Sequence, residues 1–201
     1  LLPFFWFYLF EMSGSPTAER ILPSLFQSVT LRTAGFNTVD LSRMSGGGQG
    51  LMILWMLVGG SPGSTAGGMK TTTIAVLLLT AWAVFRRQEE VACFGRRIGA
   101  DTVRNTVAVL MMYYLLFFTG GMAISIVEGL PLLTCLFETA SALGTVGLTL
   151  GITSRIGLFS RGILIALMFL GRVGGLTLIY AAQSVKKSAC STLPLEKLTV
   201  G

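Results

Sequence analysis

The chain is organised around an uncharged, glycine-centred stretch, Thr33-Ala34-Gly35-Phe36-Asn37. A second stretch of the same kind, Thr145-Val146-Gly147-Leu148-Thr149, follows 112 positions later. Both stretches lie beside apolar runs of membrane-helix length. A loop facing lipid at that depth would leave its backbone polar groups without hydrogen bonds. We therefore expect both stretches to be buried in protein or to line a water-filled path.

Composition places the chain in a membrane. It has 201 residues with 52% apolar and only 12% charged side chains, whereas soluble proteins carry about 25% charged residues. The mean hydropathy is +0.74. Apolar runs of about 20 residues predict an all-α integral membrane protein. The sequence has no His and three scattered Cys, a pattern that indicates neither a metal cluster nor a disulfide framework.

An internal repeat predicts the architecture. The offset of 112 that relates Gly35 to Gly147 also relates Gly59 to Gly171, and it slips by one in the short helices, where Phe26 pairs with Phe137. The repeated unit is an outer helix, a short pore helix, a loop and an inner helix. We expect the end of one unit in 1–85, a cytoplasmic connection in 86–102, a complete unit in 103–185 and a cytoplasmic tail in 186–201.

The two glycine-centred stretches, 33–37 and 145–149, are here called the first and second filter loops. Backbone carbonyls lining a path replace the hydration shell of a cation, and glycine permits the φ values that this needs. Two surface turns between helices are the alternative, but their repetition after a short apolar helix favours ion sites. The predicted ion-binding residues are Thr33, Ala34, Gly35, Phe36, Thr145, Val146, Gly147 and Leu148.

Residues 59–68, here called the gate loop, interrupt a third apolar run. Five glycines and a proline in ten residues cannot maintain a regular helix. The apolar segments on either side are too short to be separate spans, so a loop outside the membrane fits less well than one helix broken at membrane depth. The predicted gate residues are Gly59, Gly60, Ser61, Gly63, Ser64, Thr65, Gly67, Gly68, Lys70 and Arg172.

A few charged residues fall inside or beside these segments. Arg172 lies deep in the last apolar run, where a charge should face a pore or form a structural ion pair. Lys70 either holds the end of the gate loop or reaches toward the membrane surface. Arg32, Asn37 and Glu138 are the predicted supports of the filter loops. Arg32 and Glu138 are expected to brace them by buried hydrogen bonds or ion pairs, including one with each other, or else to reach water at a pore mouth.

One motif indicates a different class of protein. Residues 63–71 resemble a phosphate-binding P-loop, but Met69 separates Gly68 from Lys70 and no strand precedes the loop. A membrane-embedded ATPase is therefore a weak alternative. A secondary cation transporter of the Na+- or H+-coupled type, with broken helices and repeats, is the stronger one.

Three long motifs resemble the Trk/Ktr/HKT superfamily of potassium transporters. Residues 28–38 are similar to its third filter, residues 59–73 to its broken third inner helix and residues 137–149 to its fourth filter. The nearest resemblance is to the bacterial Ktr/Trk membrane subunit, of which this chain would be the C-terminal half. The resemblance implies potassium transport through a carbonyl-lined filter gated by the intramembrane loop.

The resemblance also implies the surroundings of the chain. We expect a multi-pass protein of the bacterial plasma membrane, a homodimer in contact with lipid, and a cytosolic ring of nucleotide-binding regulatory subunits. It implies no enzyme activity, no nucleic-acid partner, no cofactor in this chain and no metal beyond transported K+, with nucleotide only on the regulatory partner. Positive residues mark the cytoplasmic side, so the filter loops should face outward. These residues are Arg86, Arg87, Arg96, Arg97, Arg104, Lys186, Lys187 and Lys197.

Overall fold

Helices make up most of the structure, a computed structural model that describes residues 2–12, 16–88 and 90–174. The helices in these ranges are α1 (Leu2–Trp6), α2 (Thr17–Thr30), α3 (Gly46–Leu57), α4 (Thr71–Phe85), α5 (Ala100–Glu128), α6 (Leu132–Leu143) and α7 (Leu158–Val173). A π-helical turn, Phe7–Glu11, follows α1, and a 3-10 turn, Leu41–Arg43, precedes α3. The predicted all-α class is confirmed, with one short hairpin added.

Two helix boundaries differ from those that the sequence predicts. Three successive glycines before Gln49 predict a polar loop, but α3 begins at Gly46 because the Ser45 hydroxyl accepts a hydrogen bond from the Gly48 N–H at 3.0 Å. Such a side-chain cap compensates for the poor helix propensity of glycine. Helix α5 begins at Ala100, three residues before the predicted span. The last apolar run predicts a span over 158–182, of which residues 175–182 lie outside the described residues. The predicted cytoplasmic tail, with Lys186, Lys187 and Lys197, lies outside them as well.

Helix α6 lies at the centre of the packing. It contacts α3, α5 and α7, while α4 packs on α5 and α1 packs on α2 and α3. Eight of the 12 residues of α6 are buried, including Phe137 and Leu143 at 0% exposure. Helix α6 is the pore helix of the second unit, and it packs against the inner helices α3 and α7 of the two units. This arrangement positions the second filter loop, which follows α6.

Two glutamates attach the inner helices to the outer ones. The Glu128 carboxylate, at the end of α5, accepts hydrogen bonds from the Gly157 N–H at 2.8 Å and from the Ser160 hydroxyl at 2.5 Å. The Glu11 carboxylate likewise accepts the N–H of Ser45 at 3.1 Å and its hydroxyl. Ser45 and Gly157 are related by the offset of 112 and are both the caps of inner helices. Negative charge is favourable at a helix N-terminus, so both units use the same attachment.

Helix α5 presents a continuous apolar face to its surroundings. The exposed side chains recur at helical spacing and are Val107, Met111, Tyr114, Leu115, Phe118, Met122 and Ile126. Within the described residues, α5 is the one helix long and apolar enough to cross a membrane, and α4 and α6 are shorter apolar helices. An uninterrupted apolar face of this length fits a lipid-facing surface.

The connection between α4 and α5 contains a small hairpin. Strand β1 (Ala92–Cys93) pairs antiparallel with β2 (Arg96–Arg97). The two turn residues, Phe94 and Gly95, both have positive φ, at 48° and 73°, as expected for the tight turn that matches strand twist. Arg97 forms an ion pair with Glu90 at 2.8 Å, and the Phe94 side chain is fully exposed.

Candidate functional site: two filter loops and the gate loop

The first filter loop alternates in backbone conformation. Thr33 and Gly35 have positive φ values of 64° and 73°, whereas Ala34 between them does not. A change in the sign of φ rotates the peptide plane, so the alternation is compatible with successive carbonyls on one side of the loop, the arrangement that carbonyl ion sites need. The sequence predicted this freedom for Gly35 but not for Thr33, where a β-branched residue is an outlier.

The second filter loop has the same alternation. Thr145 and Gly147 have φ values of 53° and 92°, with Val146 between them in ordinary conformation. Two segments 112 positions apart thus adopt one strained backbone pattern. Strain of this kind persists only where the surrounding structure imposes it, and it concentrates at functional sites.

A hydroxyl on each pore helix holds its filter loop. The Thr30 hydroxyl donates to the Phe36 carbonyl at 2.5 Å, and the Ser141 hydroxyl accepts the Gly147 N–H at 3.1 Å. These residues were not predicted, although the slip in the repeat that pairs Phe26 with Phe137 also pairs Thr30 with Ser141. The Phe36 carbonyl is consequently held toward the pore helix, while its ring is 73% exposed.

The two filter loops touch each other. A Cβ added to Gly35 would overlap the Val146 carbonyl oxygen and would lie 3.6 Å from the Gly147 Cα. Only glycine allows this approach of two backbones. The loops predicted from separate parts of the chain therefore form one continuous site, with Val146 and Leu148 buried and Gly147 exposed along it.

Glu138 supports the second filter loop from within α6. Its carboxylate accepts hydrogen bonds from the Thr149 hydroxyl at 2.5 Å, the Leu150 N–H at 3.0 Å and the Thr153 hydroxyl at 2.8 Å. The side chain is only 4% exposed. A buried carboxylate needs such partners, since an unpaired buried charge is costly. Glu138 thus fixes the segment that follows the loop.

Arg32 does not contact Glu138, so their proposed pairing is wrong. The Arg32 guanidinium lies over the Trp55 ring, 5.9 Å from its centroid, and is exposed. Both Glu138 oxygens already have donors from their own unit. Asn37 is exposed as well, and its side-chain oxygen accepts the Val39 N–H at 3.1 Å, which closes a local turn.

A charged turn follows the first filter loop. Hydrogen bonds from the Ser42 side chain and backbone, together with the Arg43 guanidinium 3.1 Å away, lower the pKa of the exposed Asp40 carboxyl. Asp40 therefore remains ionised at neutral pH.

The gate loop departs from α3 and returns to α4 at nearly the same place. The Gly59 N–H donates to the Met69 carbonyl at 2.7 Å, and the Met69 N–H donates to Leu57 at 3.0 Å. A third bond joins the Thr71 N–H to the Gly60 carbonyl at 3.1 Å. The loop is thus an insertion closed at its base, between helices of 12 and 15 residues.

Three side chains hold the gate loop. The Lys70 ammonium donates to the Ser64 and Ala66 carbonyls at 3.1 and 2.6 Å. The Arg172 guanidinium donates to the Thr65 carbonyl at 2.5 Å, and the Tyr113 hydroxyl donates to the Gly68 carbonyl at 3.3 Å. Lys70 and Arg172 were predicted gate residues, whereas Tyr113 was missed because a tyrosine in an apolar helix suggests only packing.

Burial divides the predicted gate residues into two groups. Gly59, Gly67 and Gly68 are buried, and Gly60 and Lys70 are half-buried; the exposed members are Ser61, Gly63, Ser64, Thr65 and Arg172. The buried end of the loop meets the second filter loop, where the Gly67 N–H donates to the Thr145 hydroxyl at 3.1 Å. The gate loop therefore contacts the first residue of that filter loop directly.

Two cavities border this junction. A groove of about 480 Å³ runs from Glu138 and Thr149 past Thr145 to Met168 and Arg172. A chamber of about 250 Å³ lies behind the gate loop, between Lys70, Thr73, Tyr113 and Arg172. Ala66 and Gly68 of the gate loop line this chamber, so the loop has open space beside it.

The fold and the site define an all-α membrane transporter built from pore-helix units. The chain belongs to the family described as "TrkH: Cation transport protein", which it matches over residues 10–191. This confirms the family that the three sequence motifs indicated.

Relatives and a solved structure agree with that family. The chain is 38% identical over 170 residues to Ktr system potassium uptake protein B of Bacillus subtilis, an alignment that covers 85% of this chain and 38% of that protein. It is 35% identical over 189 residues to potassium/sodium uptake protein NtpJ of Enterococcus hirae, with 91% and 42% covered. The chain thus spans less than half the length of these relatives.

The fold is shared with a crystal structure of the potassium transporter TrkH from Vibrio parahaemolyticus. The TM-score is 0.74 at 22% sequence identity, and the match covers 91% of this chain and 42% of that one.

Proposed function

We propose that this chain forms two of the four units of a potassium-translocating pore in a bacterial plasma membrane, as the C-terminal half of the pore subunit. The observation that carries this proposal is the contact between two filter loops of identical alternating backbone conformation. K+ would move down its electrochemical gradient through carbonyl sites, and no covalent chemistry is needed.

The choice of K+ follows from the chemistry of the loops. Residues 33–37 and 145–149 contain no carboxylate, so a cation would meet neutral carbonyl and hydroxyl oxygens. Such oxygens suit a weakly hydrated monovalent ion better than a divalent one. The relatives are named for potassium uptake or for potassium and sodium uptake, so the ratio of K+ to Na+ permeability is the quantity to measure.

The gate loop is proposed to control this path. It contacts Thr145 and is held by two cations, Lys70 and Arg172. Fixed positive charge near a narrow path raises the barrier for a permeating cation. Because the loop carries five glycines and borders an open chamber, we expect it to leave this position without displacing a helix.

The surroundings of the pore belong to the same proposal. Arg86, Arg87, Arg96 and Arg97 are exposed beyond the end of α4, which supports a cytoplasmic location for that side and outward-facing filter loops. A homodimer and a nucleotide-binding regulatory ring are consistent with relatives named as parts of a Ktr system.

A secondary transporter coupled to Na+ or H+ is the second candidate. The break between α3 and α4 favours it, because such transporters place their binding sites at discontinuous helices. Uptake that saturates and requires a Na+ or H+ gradient would distinguish this candidate from a pore.

The test is flux of Rb+ and Na+ in proteoliposomes. This chain alone is compared with the four-unit protein, in which the two preceding units are joined to it, and with the Gly147→Ser variant of that protein. Gly147 has φ +92° and free space for a Cβ, so the substitution perturbs the backbone of the filter loop without a steric clash. We expect flux from the four-unit protein only, and loss of Rb+ preference in the variant.

Gly129→Ser is the matched control. Gly129 also has positive φ, at 64°, and open space around it, but it ends α5 far from the filter loops. Its variant should keep the Rb+ preference. If Gly147→Ser keeps it as well, residues 145–149 do not form the filter and the pore proposal is wrong.

A further inference from the structure

We propose that the Thr145 hydroxyl couples the position of the gate loop to ion occupancy of the filter. This inference rests on the proposed function and adds a positioning residue to it. The hydroxyl accepts a hydrogen bond from the Gly67 N–H at 3.1 Å, across 78 residues of sequence. It joins the first residue of the second filter loop to the buried end of the gate loop.

The absence of a side chain at position 67 creates this contact. A Cβ added to Gly67 would overlap both the hydroxyl oxygen and the methyl group of Thr145. The gate loop therefore approaches the filter as closely as a backbone can. Any other residue at position 67 would separate the loop from the filter.

The second filter loop alone has this contact. Thr33 occupies the equivalent place in the first filter loop and has a similar positive φ, 64° against 53°. Among the described residues, the hydrogen bond between a filter threonine and the gate loop is made by Thr145 and not by Thr33. Thr33 thus provides a control with the same chemistry and backbone strain.

Two groups would compete for the Thr145 oxygen. The N–H of Gly67 presents the positive end of its dipole to this oxygen, and a cation bound at the inner end of the filter would coordinate the same atom. A cation and the positive end of an N–H dipole repel each other at such short distance. Cation binding at Thr145 and attachment of the loop should therefore disfavour each other.

Thermodynamic linkage makes this competition reciprocal. If K+ at Thr145 weakens attachment of the gate loop, then attachment of the loop weakens K+ binding by the same factor. A filled filter would release the loop, and an empty filter would retain it. The pore would then respond to the ion that it carries.

The test measures detachment of the gate loop directly. Ala66, beside Gly67, is half-buried, so an Ala66→Cys variant reports departure of the loop through its rate of reaction with a charged thiol reagent. Cys93, Cys135 and Cys190 are replaced, and the four-unit protein is assayed in K+ and in N-methylglucamine. We expect K+ to raise the labelling rate about two- to tenfold, the change that corresponds to loss of one hydrogen bond.

Three further variants identify the atom responsible. Thr145→Val should label fast with and without K+, because its hydroxyl is gone. Thr145→Ser should restore slow labelling and its K+ dependence. Thr33→Val should label slowly without K+, as the parent does.

Contrary results separate the two proposals. If Thr145→Val labels no faster than Thr33→Val, or if K+ leaves labelling unchanged in a protein that conducts Rb+, the coupling is wrong while the pore stands. If the four-unit protein conducts no Rb+, the proposed function fails and the coupling fails with it.

Discussion

At the scale of the residue, Glu138 shows how a buried charge organises a site. Its carboxylate receives three donors from the segment that follows the second filter loop. Removing this acceptor leaves the half-buried Leu150 N–H unpaired, at about 1–3 kcal/mol, whereas the exposed Thr149 and Thr153 hydroxyls can still bond to each other. Glu138 therefore supports the loop together with Ser141, which holds Gly147.

Replacing Glu138 should damage both stability and selectivity. We expect Glu138→Ala to destabilise the protein by about 1–3 kcal/mol, the cost of leaving the half-buried Leu150 N–H without an acceptor, and to reduce the preference for K+ over Na+. Thermal unfolding in detergent and flux in proteoliposomes measure the two effects. Glu138→Gln should be milder, since the amide oxygen still accepts.

Glu90→Ala is the control for that substitution. Glu90 is also paired, but its side chain and that of Arg97 are 53% and 68% exposed. Exposed ion pairs contribute about 0–1 kcal/mol. If Glu138→Ala resembles Glu90→Ala in both measurements, Glu138 does not support the filter.

Single residues also show what sequence alone can predict. Glycine at positions 35 and 147 could be explained from the sequence. A carbonyl-lined loop between apolar runs needs backbone φ values that glycine adopts most easily. The partner of Arg32 was not predictable, since Trp55 comes near it only after two helices have packed. Likewise, the positive φ of Thr33 and Thr145 was not predictable, because a β-branched residue rarely adopts it.

At the scale of the element, the gate loop is held by its ends and by its tip. Backbone bonds close its base, and Lys70, Tyr113 and Arg172 hold its carbonyls. The sequence predicted the position of the break from glycine content alone. It did not predict the long-range contacts, because these depend on α5 and α7 packing beside the loop.

Loss of the Arg172 contact should favour release of the loop. We expect Arg172→Gln to raise Rb+ flux through the four-unit protein, because the Thr65 carbonyl loses a charged donor and the path loses a fixed positive charge. Proteoliposome flux under equal protein loading measures the change.

Arg161→Gln provides the comparison on the same helix. Arg161 also donates to a carbonyl, that of Ser154 at 2.9 Å, but it lies near the start of α7, away from the gate loop. Its variant should conduct like the parent. Equal or lower flux in Arg172→Gln would contradict the role of Arg172 as a gate residue.

At the scale of the whole molecule, the fold presents two chemically different ends. In the proposed topology, the hairpin with Arg96 and Arg97 lies on the cytoplasmic side, and the turn after the first filter loop lies on the outer side. The number and order of the helices followed from hydropathy and from the repeat. Which helices touch did not, since pairing within the membrane depends on close packing between surfaces that are all apolar.

Labelling of single cysteines tests this orientation. Thr38→Cys, after the first filter loop, should react with an impermeant thiol reagent in intact cells, whereas Phe94→Cys in the hairpin should react only after permeabilisation. Both positions are exposed, so access depends on the side of the membrane. The opposite pattern would reverse the proposed topology.

The two glutamate attachments fix one end of each inner helix, about which the rest of the helix can tilt. Helix α7 is fastened at Gly157 and Ser160 by Glu128, while Arg172 lies 14 residues beyond the first residue of the helix, about 21 Å along its axis. Over that length, a tilt of α7 by roughly 5° about its fixed end displaces Arg172 by about 2 Å. A displacement of that size would break the hydrogen bond of 2.5 Å from Arg172 to the Thr65 carbonyl, while the fixed end of the helix remains in place.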